Sequence, residues 1–191
     1  MPPLRIQLLG GFSIASGEIQ GPQLTRARQQ SFFVYLLLRC RQPQFRQLIA
    51  ATFWPESAEA QANKNLRVLL VEIRQAWPQL EQYVQIERHT LQWLPSSAIV
   101  VDVFEFEQAI QAATLYSKNQ QPEQQLTALR TAVDLYRGDL LPHLYDEWLE
   151  KERSRLANCY TTALGQLASL QQERGYFTDS IQSALRLQQV D

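Results

Sequence analysis

Histidine and cysteine are both scarce in this chain, with two of each in 191 residues. With only His89 and His143 available, neither a histidine-rich metal site nor a histidine-containing catalytic triad can be argued. His89 reads as a solvent-facing or phosphate-touching residue and His143 as a chemically silent loop residue. Cys40 and Cys159 stand far apart and form no metal or redox spacing. Both fall in apolar helical patterns and read as small core residues of a protein in a reducing compartment. No apolar run approaches the roughly 18 residues that a membrane span needs. The start, Met-Pro-Pro-Leu-Arg, lacks the charged-then-apolar layout of a signal peptide, so the expected location is cytoplasmic. The pair Gly10-Gly11 is followed by neither a Lys-Ser/Thr phosphate loop nor a dinucleotide fingerprint, and there is no nucleophile elbow or calcium loop. The acidic group Asp146, Glu147, Glu150 and Glu152, around Trp148 and Lys151, reads as a solvated helix face rather than an acid/base pair. The expectation is a protein that is not an enzyme, with no cofactor and no metal.

What is present is an ordinary globular composition, 45% hydrophobic and 19% charged, in a length that suits one large domain or two small ones. The net charge of −1 hides a split. Residues 1–95 hold 10 Lys/Arg against 6 Asp/Glu, a net of +4, whereas residues 96–191 hold 8 against 13, a net of −5. Two units with different partners would produce this asymmetry, and only the first suits a polyanion.

In the first half, Leu4–Leu9 and Phe12–Ala15 alternate about the glycine pair and predict two short strands, with a further turn at Ser16-Gly17-Glu18. Thr25 is the expected N-cap of a helix from Arg26 to about Arg41, with Phe32, Phe33, Tyr35, Leu36 and Leu37 inward. Phe45–Phe53 predicts a second helix with Leu48, Ile49 and Phe53 inward, stopped at Trp54-Pro55. Ser57 is the expected N-cap of a third helix, about 58–77. On that helix Ala62, Leu66, Leu69, Leu70, Ile73, Trp77 and Leu80 form one apolar arc, while Lys64, Arg67 and Arg74 fall opposite, beside Val68, Val71 and Gln75. Tyr83–Glu87 and Thr90–Leu94 alternate about Arg88-His89 and predict a hairpin with a basic tip. Strands, three helices with a basic third member and a closing hairpin describe a winged helix-turn-helix, whose third helix enters the major groove. In that frame Asn63, Lys64, Arg67 and Arg74 are candidates for base or phosphate contacts, and Arg88 for the backbone or minor groove. Thr25, Arg26 and Arg28, at the positive end of the first helix, are candidate phosphate contacts.

The residues also resemble a known family. Leu8-Leu9-Gly10-Gly11-Phe12, Phe53-Trp54-Pro55-Glu56-Ser57, and Asn65-Leu66-Arg67 followed by Ile73-Arg74 are similar to SARP-type bacterial transcriptional activators. The likeness continues through Val101–Glu107, Leu135–Pro142 and Trp148, so it runs along essentially the whole chain. The run Gln29-Gln30-Ser31-Phe32-Phe33 is bulkier than the family's usual first-helix pattern. The resemblance implies an OmpR-like winged helix over residues 1–96 and a helical bacterial transcriptional activation domain (BTAD) over 97–191. It further implies binding to direct repeats in double-stranded promoter DNA, as two copies side by side, and contact with RNA polymerase. The loop holding Trp54, Glu56 and Glu59 is the candidate for that contact.

Beyond a polar break at Pro95-Ser96-Ser97 the periodicity is helical. Val103, Phe106, Ile110 and Ala113 mark one helix, and Leu126, Leu129, Val133 and Tyr136 the next, ended by Gly138. Tyr145 to about Arg174 predicts a long helix, and Thr178 or Asp179 caps a last one through Leu187. Such antiparallel pairs resemble tetratricopeptide hairpins, about one and a half repeats of them, and the array is expected to continue in a longer protein. The expected fold class is therefore an α+β winged helix-turn-helix followed by an all-α TPR-like domain. The alternative function is a protein-interaction module, or the regulatory front end of a larger signalling protein, that does not itself bind DNA.

Overall fold

A computed structural model describes residues 4–16, 19–20, 24–94 and 99–189. The expected turn at Gly17-Glu18 and the break at Pro95-Ser96-Ser97 lie outside them. The described residues are rich in helix, with small sheets, and fall into two compact units. One comprises Met1–Arg5 and Ile14–Ile99, the other Ile6–Ser13 and Val100–Asp191.

Near the start of the chain, β1 (Leu4–Gln7) spans the sequence boundary between the two units, and β2 (Ser13–Ser16) pairs antiparallel with β3 (Ile19–Gln20) through Ala15 and Ser16. Helix α1 (Ala27–Leu38) buries Phe32, Phe33, Tyr35, Leu36 and Leu37, as the periodicity required. Its N-cap is Arg26 rather than Thr25, and the side-chain oxygen of Gln29 accepts the Arg26 N–H at 3.4 Å. A short strand that the sequence did not signal, β4 (Gln44–Phe45), precedes α2 (Arg46–Phe53). Ile49 and Phe53 of α2 are buried but Leu48 is 55% exposed, because the helix has only two turns and one face to hide. The cap of α3 (Glu59–Ala76) is Ala58, one residue beyond Ser57. The predicted arc of α3 and its extension, from Ala62 through Trp77 to Leu80, is buried throughout. After a 3-10 turn at Leu80–Gln82, β5 (Val84–Ile86) and β6 (Thr90–Trp93) form the predicted hairpin, and β4 adds to β6, giving the order β4-β6-β5. An aromatic cluster seals this core: Phe33 meets Trp93 edge-on at 5.1 Å, and Trp77 lies 5.0 Å from Tyr83.

The second unit follows β7 (Ile99–Val101) with α4 (Asp102–Lys118), α5 (Pro122–Leu135), α6 (Glu147–Glu173) and α7 (Phe177–Gln188). Successive helices pack on one another, α4 on α5, α5 on α6 and α6 on α7. The stripe of α6, from Trp148 and Leu149 to Leu170, is buried as expected. Tyr136 stacks on Tyr160 at 4.2 Å. The cap of α7 is Tyr176, not Thr178 or Asp179; Asp179 instead pairs with Arg130 at 2.8 Å. Cys40 and Cys159 are half-buried free thiols rather than core residues: Cys40 lies in the turn that follows α1, and Cys159 lies on α6.

Residues 6–13 differ from the sequence expectation by grouping with the helical unit. The Asp102 carboxylate accepts the N–H groups of Leu8 (2.9 Å), Leu9 (2.9 Å) and Val103 (2.8 Å). The Leu141 N–H donates to the Leu8 carbonyl (3.0 Å) and the Gly10 N–H to the Asp139 carbonyl (2.9 Å). Gly10 (φ +80°) and Gly138 (φ +144°) meet there. A Cβ on Gly10 would lie 2.9 Å from the Arg137 carbonyl oxygen, and one on Gly138 would lie 3.2 Å from the Gly10 Cα.

Candidate nucleic-acid interface

Helix α3 presents to solvent the face opposite its buried arc, where Lys64, Arg67, Val68, Val71, Arg74 and Gln75 are exposed. One end of this face borders a cleft of about 760 Å³ lined by Phe45, Arg46, Gln47, Asn63, Arg67, Arg88 and His89. Three elements build it: the first turn of α2, the first half of α3 and the hairpin tip. Arg46 ties two of them together, donating its backbone N–H to the His89 carbonyl (2.9 Å) and a guanidinium N–H to the Glu87 carbonyl (3.3 Å). Burial lowers the Arg46 pKa, and the nearby positive charges of Arg67 and Arg74 lower it further. With Arg46, Arg67 and Arg88 on its walls the cleft is locally positive, a setting that favours an anion over a cation.

The structure therefore brings together Asn63, Arg67 and Arg88 of the sequence candidates, with Lys64 on the adjoining helix face. The others lie in different settings. Arg74 donates to Glu81 from Nε (3.1 Å) and from a terminal nitrogen (2.9 Å), and Arg26 pairs with Glu72 at 2.7 Å. Both are exposed pairs of the kind that contribute little stability. The Arg28 guanidinium lies over the rings of Phe53 (5.7 Å) and Trp54 (5.8 Å), and Thr25 is an exposed residue just ahead of the α1 cap. In the Trp54–Glu59 loop, Trp54 leans on Phe53, Glu56 is exposed and Glu59 accepts a hydrogen bond from Gln47 (3.1 Å). Sequence reasoning missed Arg46. A signal existed: a cation in the first turn of a helix opposes the macrodipole, so its position there asks for a reason.

The helical unit carries two features of its own. Arg153 is almost enclosed and donates to the carbonyls of Leu140 (2.8 Å), Leu141 and Leu144, pinning the link between α5 and α6. A groove of about 740 Å³ runs between α4 and α5, with Glu105 and Glu123 among its walls and Ala109, Ala112 and Ala128 on its floor. Among the described residues there is no group of three or more His, Cys, Asp or Glu placed to hold a metal ion, and no helix is long and apolar enough to cross a membrane.

Residues 101–191 match the family model described as bacterial transcriptional activator domain. The matched stretch is the helical unit from the end of β7 onward, so this half of the molecule is similar to a domain of transcriptional activators. Among solved structures, one of Mycobacterium tuberculosis EmbR in complex with a low-affinity phosphopeptide shares the fold, with a TM-score of 0.81 at 16% identity. The likeness covers 97% of this chain and 50% of that one, so this chain spans about half the length of its structural neighbour. No curated protein matches the sequence.

Proposed function

We propose that the chain is a sequence-specific DNA-binding transcriptional regulator, an activator, whose first unit is a winged helix-turn-helix. The observation that carries the reading is the basic cleft where α2, α3 and the hairpin tip converge. Helix α3 lies in the major groove in this reading, with Arg67 and Asn63 facing base edges and Lys64 a phosphate. The β5–β6 hairpin is the wing, and Arg46 and Arg88 take phosphates on either side of it. Similarity of residues 101–191 to the bacterial transcriptional activator domain supports the regulatory role. The proposal extends to a cytoplasmic protein without catalytic activity that contacts RNA polymerase and binds promoter repeats as two copies. Binding of fluorescent promoter-sized duplexes, followed by anisotropy across a salt series, tests it. The log–log slope should be about −3 to −6, each neutralised phosphate contributing about −0.9. A Lys64→Ala/Arg88→Ala double variant, which removes two of the phosphate contacts, should bind more weakly and with a slope shallower by about 2. Absence of binding to any duplex at low salt would overturn the reading.

A second reading is a protein-interaction module without DNA affinity. It is favoured by Phe45 and Leu48, which are 63% and 55% exposed at the start of α2 and suit an apolar partner. That reading predicts the absence of duplex binding just described.

A further inference from the structure

The solvent face of α3 contains two residues that solvation does not explain. Val68 and Val71 are each 50% exposed, among Lys64, Arg67 and Gln75. An exposed helical face gains nothing from valine, whose branched side chain loses rotamer freedom there and whose methyl groups stay in water. The two valines are also ordered relative to the cations. Val68 follows Lys64 by four residues and Val71 follows Arg67 by four, so each lies one turn along from a basic side chain on the same face. Spaced three apart, their Cβ atoms are about 5–6 Å from each other. Successive base pairs rise about 3.4 Å and also rotate about the axis, so side chains at this separation can meet neighbouring base pairs. The apolar group that a base edge offers in the major groove is the 5-methyl of thymine.

We infer that Val68 and Val71 read the 5-methyl groups of thymines on two neighbouring base pairs, beside the base contacted by Arg67. The inference rests on the placement of α3 in the major groove proposed above, and it adds the identity of the bases read. An operator half-site for this chain contains adjacent A·T pairs, and the valines select thymine over cytosine without a hydrogen bond. Val68→Ala and Val71→Ala leave helix formation intact, since alanine is the better helix former, so lost discrimination in these variants is not lost folding.

The test begins with selection of bound duplexes from a random double-stranded library by the 191-residue chain. Each thymine of the enriched site is then replaced singly by deoxyuridine, which removes the methyl and nothing else. The expected result is a loss of about three- to fivefold in affinity at two adjacent positions, the worth of one buried methyl. Val68→Ala should abolish the deoxyuridine effect at one of those positions and Val71→Ala at the other. Val→Thr at either position, which keeps one methyl, should retain part of it. Equal binding of thymine and deoxyuridine duplexes at every position would overturn the inference while leaving DNA binding intact, and would assign the valines to a protein contact. A library that yields no enriched sequence would remove the major-groove reading itself, and the inference with it.

Discussion

Replacing Asp102 by alanine is the most direct probe of how the N-terminal segment is held. The carboxylate accepts three backbone N–H groups, those of Leu8, Leu9 and Val103, and all three residues are buried. A buried amide left without an acceptor costs about 1–3 kcal/mol. Val103, in the first turn of α4, is one of the four donors that every helix start leaves unmatched. Two stranded amides of the N-terminal segment set a loss of about 2–6 kcal/mol. Against that stands the carboxylate's own burial, which pushes its pKa above the usual range more strongly than the amides and the Arg137 charge pull it back. Alanine removes that desolvation, so the expected net loss is about 2–4 kcal/mol. Because the molecule has two compact units, one melting temperature does not describe both. Amide hydrogen exchange is the sharper assay: the Leu8 and Leu9 amides should exchange faster in Asp102→Ala by about 30- to 1000-fold. Unchanged exchange at both amides would refute the reasoning. The pH dependence has a fixed sign. A carboxyl whose folded pKa is raised contributes stability that is fullest below its unfolded value and is lost as pH rises through the folded one. The stability of the native chain relative to Asp102→Asn should therefore grow as pH falls from 7 toward 4.

Gly10→Ala places a side chain at φ +80° and 2.9 Å from the Arg137 carbonyl oxygen, and should destabilise the helical unit by about 1–3 kcal/mol in denaturant titration. Arg153→Ala strands the carbonyls of Leu140, Leu141 and Leu144 and should cost about 2–4 kcal/mol; Arg153→Lys should recover only part, because one ammonium cannot reproduce the forked donor array. Arg46→Ala should weaken duplex binding and make the salt slope shallower by about 0.9, and should speed exchange of amides at the hairpin tip, which a mere phosphate contact would leave alone.

The helices were legible because each buries one stripe. The arcs of α1, α3 and α6 could be read residue by residue, and the hairpin followed from alternation on both sides of Arg88-His89. Caps were not legible. Thr25, Ser57, Thr178 and Asp179 are good capping types, yet the chain enters α1, α3 and α7 through Arg26, Ala58 and Tyr176, one to three residues away. Tertiary contacts choose the entry angle, and a cap is worth about 1 kcal/mol against them. Leu48 was misplaced because a two-turn helix does not need all its apolar residues inside. In the basic face, periodicity showed which side Arg67 and Arg74 share but not that Glu81 lies within reach of one of them. The cleft itself was beyond the sequence, since Arg46 meets Arg67 and Arg88 only because α2 packs on α3 and its first residue bonds to the hairpin tip. Two stretches quoted for the family resemblance, Leu8–Phe12 and Leu135–Pro142, have a plain physical link: they hydrogen-bond to each other across the Gly10–Gly138 contact.

That link has a consequence for how the protein is made. The helical unit is split in sequence, with residues 14–99 inserted between its first strand segment and the rest. On a ribosome adding about 5–20 residues per second, Leu8 emerges on the order of ten seconds before Leu141, the residue whose amide it receives. During that interval the Leu8-Leu9 pair is an apolar segment without its partners, while the inserted unit has all of its own residues from 14 onward and can fold first. A fragment cut to begin at residue 97 would be born without the segment that Asp102 holds, and adding residues 1–13 back as a separate peptide should restore its missing hydrogen bonds.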